Sequence, residues 1–227
     1  MGSKNRIAKF LLPIILEKKE LAKNYIEPFV GGCNMIDKVS GIRRVVNDSN
    51  SYLISMWKAL QEDWIPPEIV SKELYYFIKS NQNMLLDRSV GFVGFNCSFG
   101  SKWFGGYASN ADGRNYALVA KNHLKKQITK LKDVVFTNTD YKNLIFESPS
   151  IIYCDPPYKE TVKYKDGFDH DAFWKWVREK SVDNFVYVSE YSAPNDFECL
   201  IEIPLKTTLN KNKKENRIER LFKLKTS

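Results

Sequence analysis

The tetrapeptide Asp155-Pro156-Pro157-Tyr158 stands directly behind the apolar run Ile151-Ile152-Tyr153-Cys154 and carries the most specific chemistry in the sequence. With each residue type near ~5% of an average protein, one named tetrapeptide arises by chance in roughly one chain of this length in several hundred. Two prolines fix a stiff turn, so the Asp155 carboxylate and the Pro156 carbonyl can be aimed at one point without mobile backbone. Both are hydrogen-bond acceptors. An aromatic amine is a poor nucleophile because its lone pair is spread into the ring. Two acceptors on its two hydrogens favour the pyramidal form that frees that pair. Tyr158 can stack on the face of such a ring, an interaction worth roughly 1–3 kcal/mol per base. The plain alternative is a rigid structural turn.

Three further segments put polar or glycine chemistry where strands are expected to end, and in an open α/β sheet ligands sit at the carboxyl ends of the strands. Glu27-Pro28-Phe29-Val30-Gly31-Gly32-Cys33 follows the first expected strand, and its glycines let the backbone approach a ligand. An ordinary tight turn is the alternative there. Asn47-Asp48 follows the second strand, with Asp48 placed 17 residues beyond Gly31. That is close to the spacing at which an acidic residue meets the ribose hydroxyls of a bound nucleoside. Asn138-Thr139-Asp140-Tyr141 follows the third.

The elements that must position these residues follow from apolar periodicity. Strands are expected at Tyr25 to Phe29, Arg44 to Asn47, Val134 to Thr137, Ile151 to Cys154, Phe185 to Ser189, Leu200 to Leu205 and Ile218 to Leu224. Helices are expected at Lys4 to Lys19, Asn34 to Val39, Ser51 to Gln61, Pro67 to Lys79, Tyr116 to Lys130 and Asp171 to Glu179. Their alternation predicts an α/β fold with a doubly wound, mostly parallel sheet. The last two strands are joined by the turn-rich Lys206 to Arg217 and should form an antiparallel hairpin at one edge. Residues 49–132 are too long for a single crossover and are read as an inserted recognition region, with 1–48 and 133–227 forming the main domain. Within the insertion, Gly91 to Tyr116 holds six of the eleven glycines beside Phe92, Phe95, Phe99, Trp103, Phe104, Tyr107 and Tyr116. Such a segment either lies close to a ligand or forms a small satellite core.

The composition, 43% hydrophobic with 14% aromatic over 227 residues, supports one compact domain with a sizeable core. No run approaches the roughly 20 apolar residues of a membrane span. The opening Lys4, Arg6 and Lys9 lack a following apolar run and cleavage site, so a soluble, cytoplasmic protein is expected. Cys33, Cys97, Cys154 and Cys199 show no CxxC pair, which argues against a zinc site or disulfide framework. The net charge of +8 points to a polyanionic partner. Lys121, Lys125, Lys126, Lys130 and Lys132 cluster without an intervening acid, and the C-terminal stretch repeats the bias. Lys121, Lys125 and Lys126, with Asn96 and Lys102, are the candidate contacts to the phosphates of such a partner. A solvated helix face is the alternative for each lysine. His170, between Asp169 and Asp171 at an expected helix start, is read as surface. The charged, glycine-containing segment Lys159 to Phe168 is either a loop that closes over a bound ligand or a disordered connection.

Taken together, these motifs resemble the Dam-type DNA adenine-N6 methyltransferases, in the arrangement with the cofactor motif first and the catalytic motif late. Gly2-Ser3-Lys4 resembles that family's N-terminal Gly-x-Lys segment, residues 27–32 its cofactor loop, Asn47-Asp48 its ribose-binding step, and residues 155–158 its catalytic motif. Cys33 departs from the pattern, standing where the family often has another small residue such as glycine. The resemblance implies the class I methyltransferase (Rossmann-like) fold, with S-adenosylmethionine as cofactor and DNA as substrate. It implies that Gly2, Ser3, Lys4, Glu27, Pro28, Phe29, Gly31, Gly32, Asp48, Asp140 and Tyr141 surround the cofactor, while Asp155, Pro156, Pro157 and Tyr158 hold the target adenine. No metal is expected. A monomer or weak dimer in a bacterial or phage-infected cell is expected, with a restriction-enzyme partner left open. Two alternatives remain: a methyltransferase acting on cytosine, RNA adenine or protein glutamine, or a nucleic-acid-binding module without catalysis.

Overall fold

The structure, a computed structural model, describes residues 4–109, 113–158, 167–206 and 216–225. Gly2, Ser3, most of the Lys159 to Phe168 segment and most of the turn after Lys206 lie outside the described residues. Seven strands form one sheet in the order β3-β2-β1-β4-β5-β7-β6. They are β1 (Asn24–Glu27), β2 (Arg43–Asn47), β3 (Val135–Thr137), β4 (Ile151–Cys154), β5 (Phe185–Glu190), β6 (Phe197–Lys206) and β7 (Asn216–Leu224). β1, β4 and β5 pair in parallel, whereas β7 runs antiparallel to both β5 and β6. This mostly parallel sheet with an antiparallel edge pair is the Rossmann-like arrangement of class I methyltransferases, as the resemblance implied.

The chain clusters into two compact units. One contains Lys4–Phe29, Val39–Val45 and the described residues from Lys142 on. All four residues of β4 are buried, as expected of a central strand covered on both faces. β6 is the edge strand, where Pro204 is tolerated because one side needs no ladder donor. Its register shifts between Cys199 and Ile201. The expected first helix, Lys4 to Lys19, is instead a 3-10 turn (Lys4–Arg6), a short helix α1 (Ala8–Ile15) and a second 3-10 turn (Lys19–Leu21). That break turns Lys4 inward, leaving it 7% exposed.

The other unit contains Val30–Lys38 and Val46–Tyr141, so the whole of 49–132 clusters with the glycine-bearing loop and β3. Helix α2 (Ser51–Gln61) is capped by Asn50, whose side chain accepts from the Leu53 amide. Its Leu53, Ile54, Met56, Trp57 and Leu60 form the buried face. Helix α3 (Lys72–Ser80) starts later than expected, at the Ser71 cap. Helix α4 (Asp87–Asn96) has no counterpart in the sequence reading, because Gly91 and Gly94 lower helix propensity. Packing requires them. A Cβ on Gly91 would lie 2.1 Å from the Tyr52 carbonyl oxygen, and one on Gly94 would lie 2.4 Å from the Trp103 ring. Phe92, Phe95 and Phe104 are buried around these contacts, so this stretch builds a core of its own. The expected helix at Asn34 to Val39 is a 3-10 turn over Ile36–Lys38. Helix α5 (Tyr116–Ile128) belongs to this unit, and α6 (His170–Lys180) to the first.

Candidate active site

In the unit that holds β4, the Asp155–Tyr158 segment and the N-terminal turn meet. The Lys4 ammonium lies 2.9 Å from Asp155 Oδ1 and 3.2 Å from Glu219 Oε1, and it also donates to the Tyr158 hydroxyl. The Tyr158 hydroxyl in turn donates to Glu219 Oε1. An ammonium has three N–H donors, and these three acceptors match them. Burial alone would lower the Lys4 pKa, but the Asp155 and Glu219 carboxylates outweigh it and hold the group above its ordinary value. Burial pushes the Tyr158 phenol well up, reinforced by the charges of Asp155 and Glu219, so this hydroxyl stays a donor. The Tyr158 ring meets Tyr191 edge-on, with centroids 4.6 Å apart. Pro156 is buried, while Asp155, Pro157 and Tyr158 are half-buried.

Glu27 and Pro28, at the end of β1, are buried. Burial and the neighbouring Glu27 carboxylate push the Tyr25 phenol well above its usual value. Phe29 packs edge-on against Phe168 and Phe173, each at 5.7 Å between centroids. His170 is not the surface residue expected from its acidic neighbours. Its side chain is 16% exposed, 3.9 Å from Glu190 and edge-on to Phe168.

In the other unit, Asp48 closes on the glycine loop. Its Oδ2 accepts from the Gly31 amide at 3.2 Å and its Oδ1 from the Asn50 amide at 3.0 Å. Burial raises the Asp48 pKa, and those two backbone donors oppose the rise without cancelling it. Gly31 has φ 47°, and Cys33 has φ 54°. Cys33 therefore occupies a left-handed conformation that glycine adopts without strain, which explains why a glycine suits this position. The loop carbonyls are held by side chains that sequence reasoning did not single out. Trp57 Nε1 donates to Gly31 O at 3.1 Å, and Gln127 Nε2 donates to Gly32 O and Cys33 O at 3.0 Å each. No local motif marks them, because Gln127 stands 95 residues from Gly32.

The ends of β2 and β3 are cross-linked by side chains. Asn47 Nδ2 donates to Thr139 O, Asn47 Oδ1 accepts from the Thr137 hydroxyl, and Asn138 Nδ2 donates to Asp48 O at 2.7 Å. This places the Asp140 segment beside Asp48, with Asp140 exposed and Tyr141 buried. Lys125, Lys126 and Lys102 are exposed cations. Lys121 differs from the expectation of an open phosphate contact, for it is paired with Glu68 at 2.8 Å. Asn96 is half-buried, its amide against Met56 Sδ at 3.5 Å. Among the described residues, no cluster of His, Cys, Asp and Glu could hold a metal ion. Among them too, no helix is long and apolar enough to cross a membrane.

The strand order is that of the class I methyltransferase fold. The chain matches the model of the D12 class N6 adenine-specific DNA methyltransferases over residues 1–191, and it belongs to that family. Its curated relatives include the DNA adenine methylases of two Vibrio cholerae serotype O1 strains, Classical Ogawa 395 and El Tor Inaba N16961. Each is 28% identical over an alignment of 159 residues, with 60% of this chain covered. The alignment spans 57% of the length of those relatives. Among solved structures, the chain is similar to yhhF from Escherichia coli at TM-score 0.40 and 9% identity, covering 99% of this chain and 88% of that one. It is similar also to SMU.472 complexed with SAH, at TM-score 0.35 and 9% identity, covering 96% and 53%.

Proposed function

We propose that this protein transfers the methyl group of S-adenosylmethionine to the exocyclic amino nitrogen of adenine in DNA. The observation that carries the reading is the buried contact of Lys4 with Asp155 and Tyr158, in a chain of an adenine-specific family. The ammonium fixes the Asp155 carboxylate and the Tyr158 hydroxyl before any base arrives, which is the preorganisation that lowers a barrier. Asp155 and the Pro156 carbonyl accept the two amino hydrogens, and Tyr158 stacks on the base. The methylated amine is a strong acid and sheds its proton without a dedicated base.

The Asp48 turn fits a nucleoside cofactor. Its carboxylate is anchored by the Gly31 and Asn50 amides yet keeps lone pairs for the two hydroxyls of a ribose. Gly31, Gly32, Asp140 and Tyr141 of the same unit would hold the rest of the nucleoside; the family resemblance adds Glu27, Pro28 and Phe29 as proposed cofactor contacts. When bound, S-adenosylmethionine supplies an electrophilic methyl on a sulfonium. Reaching an adenine inside a duplex costs a few kcal/mol of unpairing and unstacking. The exposed Lys102, Lys125 and Lys126 offset that through phosphate contacts. The test is to incubate the purified protein with S-adenosylmethionine and unmethylated genomic DNA and to sequence single molecules. N6-methyladenine at a recurring short site is expected; modified cytosine, or no modified base, overturns the reading.

A further inference from the structure

Glu219 stands 61 residues beyond Tyr158, on β7 and outside the segment matched by the family model. Its side chain is 2% exposed, against 23% for Asp155. A carboxylate at such depth is costly unless paired, so an apolar residue at this strand position would serve the core better. Burial accordingly pushes the Glu219 pKa up, although Lys4 and the Tyr158 hydroxyl pull it down. Among the described residues, its side chain meets Lys4 and Tyr158, both members of the candidate site.

We propose that Glu219 is a positioning residue of the methyl-transfer site, fixing the Tyr158 ring for base stacking and sharing the Lys4 ammonium with Asp155. This rests on the reading of Asp155 and Tyr158 given above. The contacts close a ring: Lys4 donates to Tyr158, Tyr158 donates to Glu219, and Lys4 also contacts Glu219. The hydroxyl end of Tyr158 is thereby tied at two points, while its ring leans on Tyr191. Swinging the whole side chain away about χ1 requires breaking both bonds to the hydroxyl, while the edge-on contact with Tyr191 bears on the plane of the ring. Removing Glu219 takes the acceptor from Tyr158 and concentrates Lys4 on Asp155. The carboxylate that must accept the amino hydrogens then has a stronger internal competitor. Both effects act on the chemical step and leave the Asp48 turn untouched.

The experiment compares Glu219→Gln, which keeps an acceptor oxygen, with Glu219→Leu, which does not. Single-turnover methylation of DNA is expected to slow by about 30-fold or more in Glu219→Leu and by no more than about fivefold in Glu219→Gln, with cofactor and DNA affinities within about threefold of wild type. In a Tyr158→Phe background, Glu219→Gln should add less than about a twofold loss, because the two act as a unit. A second readout needs no activity. With 3-fluorotyrosine incorporated, the fluorine resonance missing from Tyr158→Phe should move in Glu219→Leu while resonances of distant tyrosines stay. A wild-type rate in Glu219→Leu overturns the inference, and so does an unmoved Tyr158 resonance. Equal slowing of both variants with equal loss of thermal stability overturns it too. If the wild-type protein methylates no adenine yet the Tyr158 resonance moves, the functional reading fails while the positioning of Tyr158 by Glu219 stands.

Discussion

Replacing Asp48 by Ala separates cofactor binding from folding, and the structure gives both magnitudes. The carboxylate has two tasks: it accepts from the Gly31 and Asn50 amides, and in the proposed function it accepts from two ribose hydroxyls. Hydrogen bonds to a charged group are worth about 1.5–3 kcal/mol each. Taking the lower end for two, because water replaces part of the loss, gives about 3 kcal/mol, or roughly a hundredfold in Kd. The folding cost is smaller. Gly31 and Asn50 are half-buried, so water can reach their amides, and about 1 kcal/mol is lost, a fall in Tm of roughly 2–4 °C for a chain of this size. The pH dependence has a definite sign. Burial holds the Asp48 carboxyl above its ordinary value of 3.8 against the opposing amides, so folding favours its protonated form. That contribution is fully present below the unfolded pKa and is lost as pH rises through the folded one. The Tm deficit of Asp48→Ala should therefore shrink as pH rises above the ordinary value of 3.8 and through the raised folded one. Calorimetric titration with S-adenosylmethionine and thermal melts across that range provide the check. An affinity within about threefold of wild type refutes the ribose assignment, and a collapse of the melting transition refutes the separation of the two tasks.

Three further outcomes follow from the packing and the charges. Gly91→Ala gains up to about 1 kcal/mol of helix propensity but drives a methyl to 2.1 Å from the Tyr52 carbonyl oxygen. A net loss of about 2 kcal/mol is expected, lowering Tm by roughly 4–8 °C, and an unchanged melt would falsify the close approach of α2 and α4. Lys125→Ala with Lys126→Ala should weaken DNA binding across all sequences and flatten its log–log salt dependence by up to about 2. Lys121→Ala should leave that slope nearly unchanged, because Glu68 already holds the cation; a loss equal to that of the other lysines would show that DNA displaces the acid.

The parts of the fold legible in the sequence are those set by local physics. Ile151–Cys154 reads as a buried strand because four apolar residues run up to a proline turn, and Ser51–Gln61 reads as a helix because Asn50 caps an apolar face. The glycine loop, Asp48 and Asp155 likewise stand out in the sequence by their places after expected strands. Helix α4 was hidden because its glycines, unfavourable locally, serve contacts with Tyr52 and Trp103 that only the tertiary structure reveals. Gln127 and Trp57 were hidden for the same reason, since the carbonyls they hold lie far away in the chain. Glu219 was hidden by its company: beside Arg220 and Lys223 in the run Ile218 to Leu224, it reads as one more charge on a solvated hairpin. Its buried partner Lys4 is brought inward by the break in the first helix, which the helical pattern of residues 4–19 did not disclose.

The central claim is tested most directly by isotope. Wild-type protein and Asp155→Ala are each incubated with S-adenosylmethionine bearing a deuterated methyl group and with unmethylated DNA. The DNA is then digested and its nucleosides are analysed by mass spectrometry. The account predicts deuterated N6-methyl-2′-deoxyadenosine from the wild-type protein and a loss of at least about a thousandfold in its rate of formation by Asp155→Ala, with DNA binding retained. Label on cytosine, no label at all, or an Asp155→Ala protein that labels adenine at the wild-type rate would contradict it.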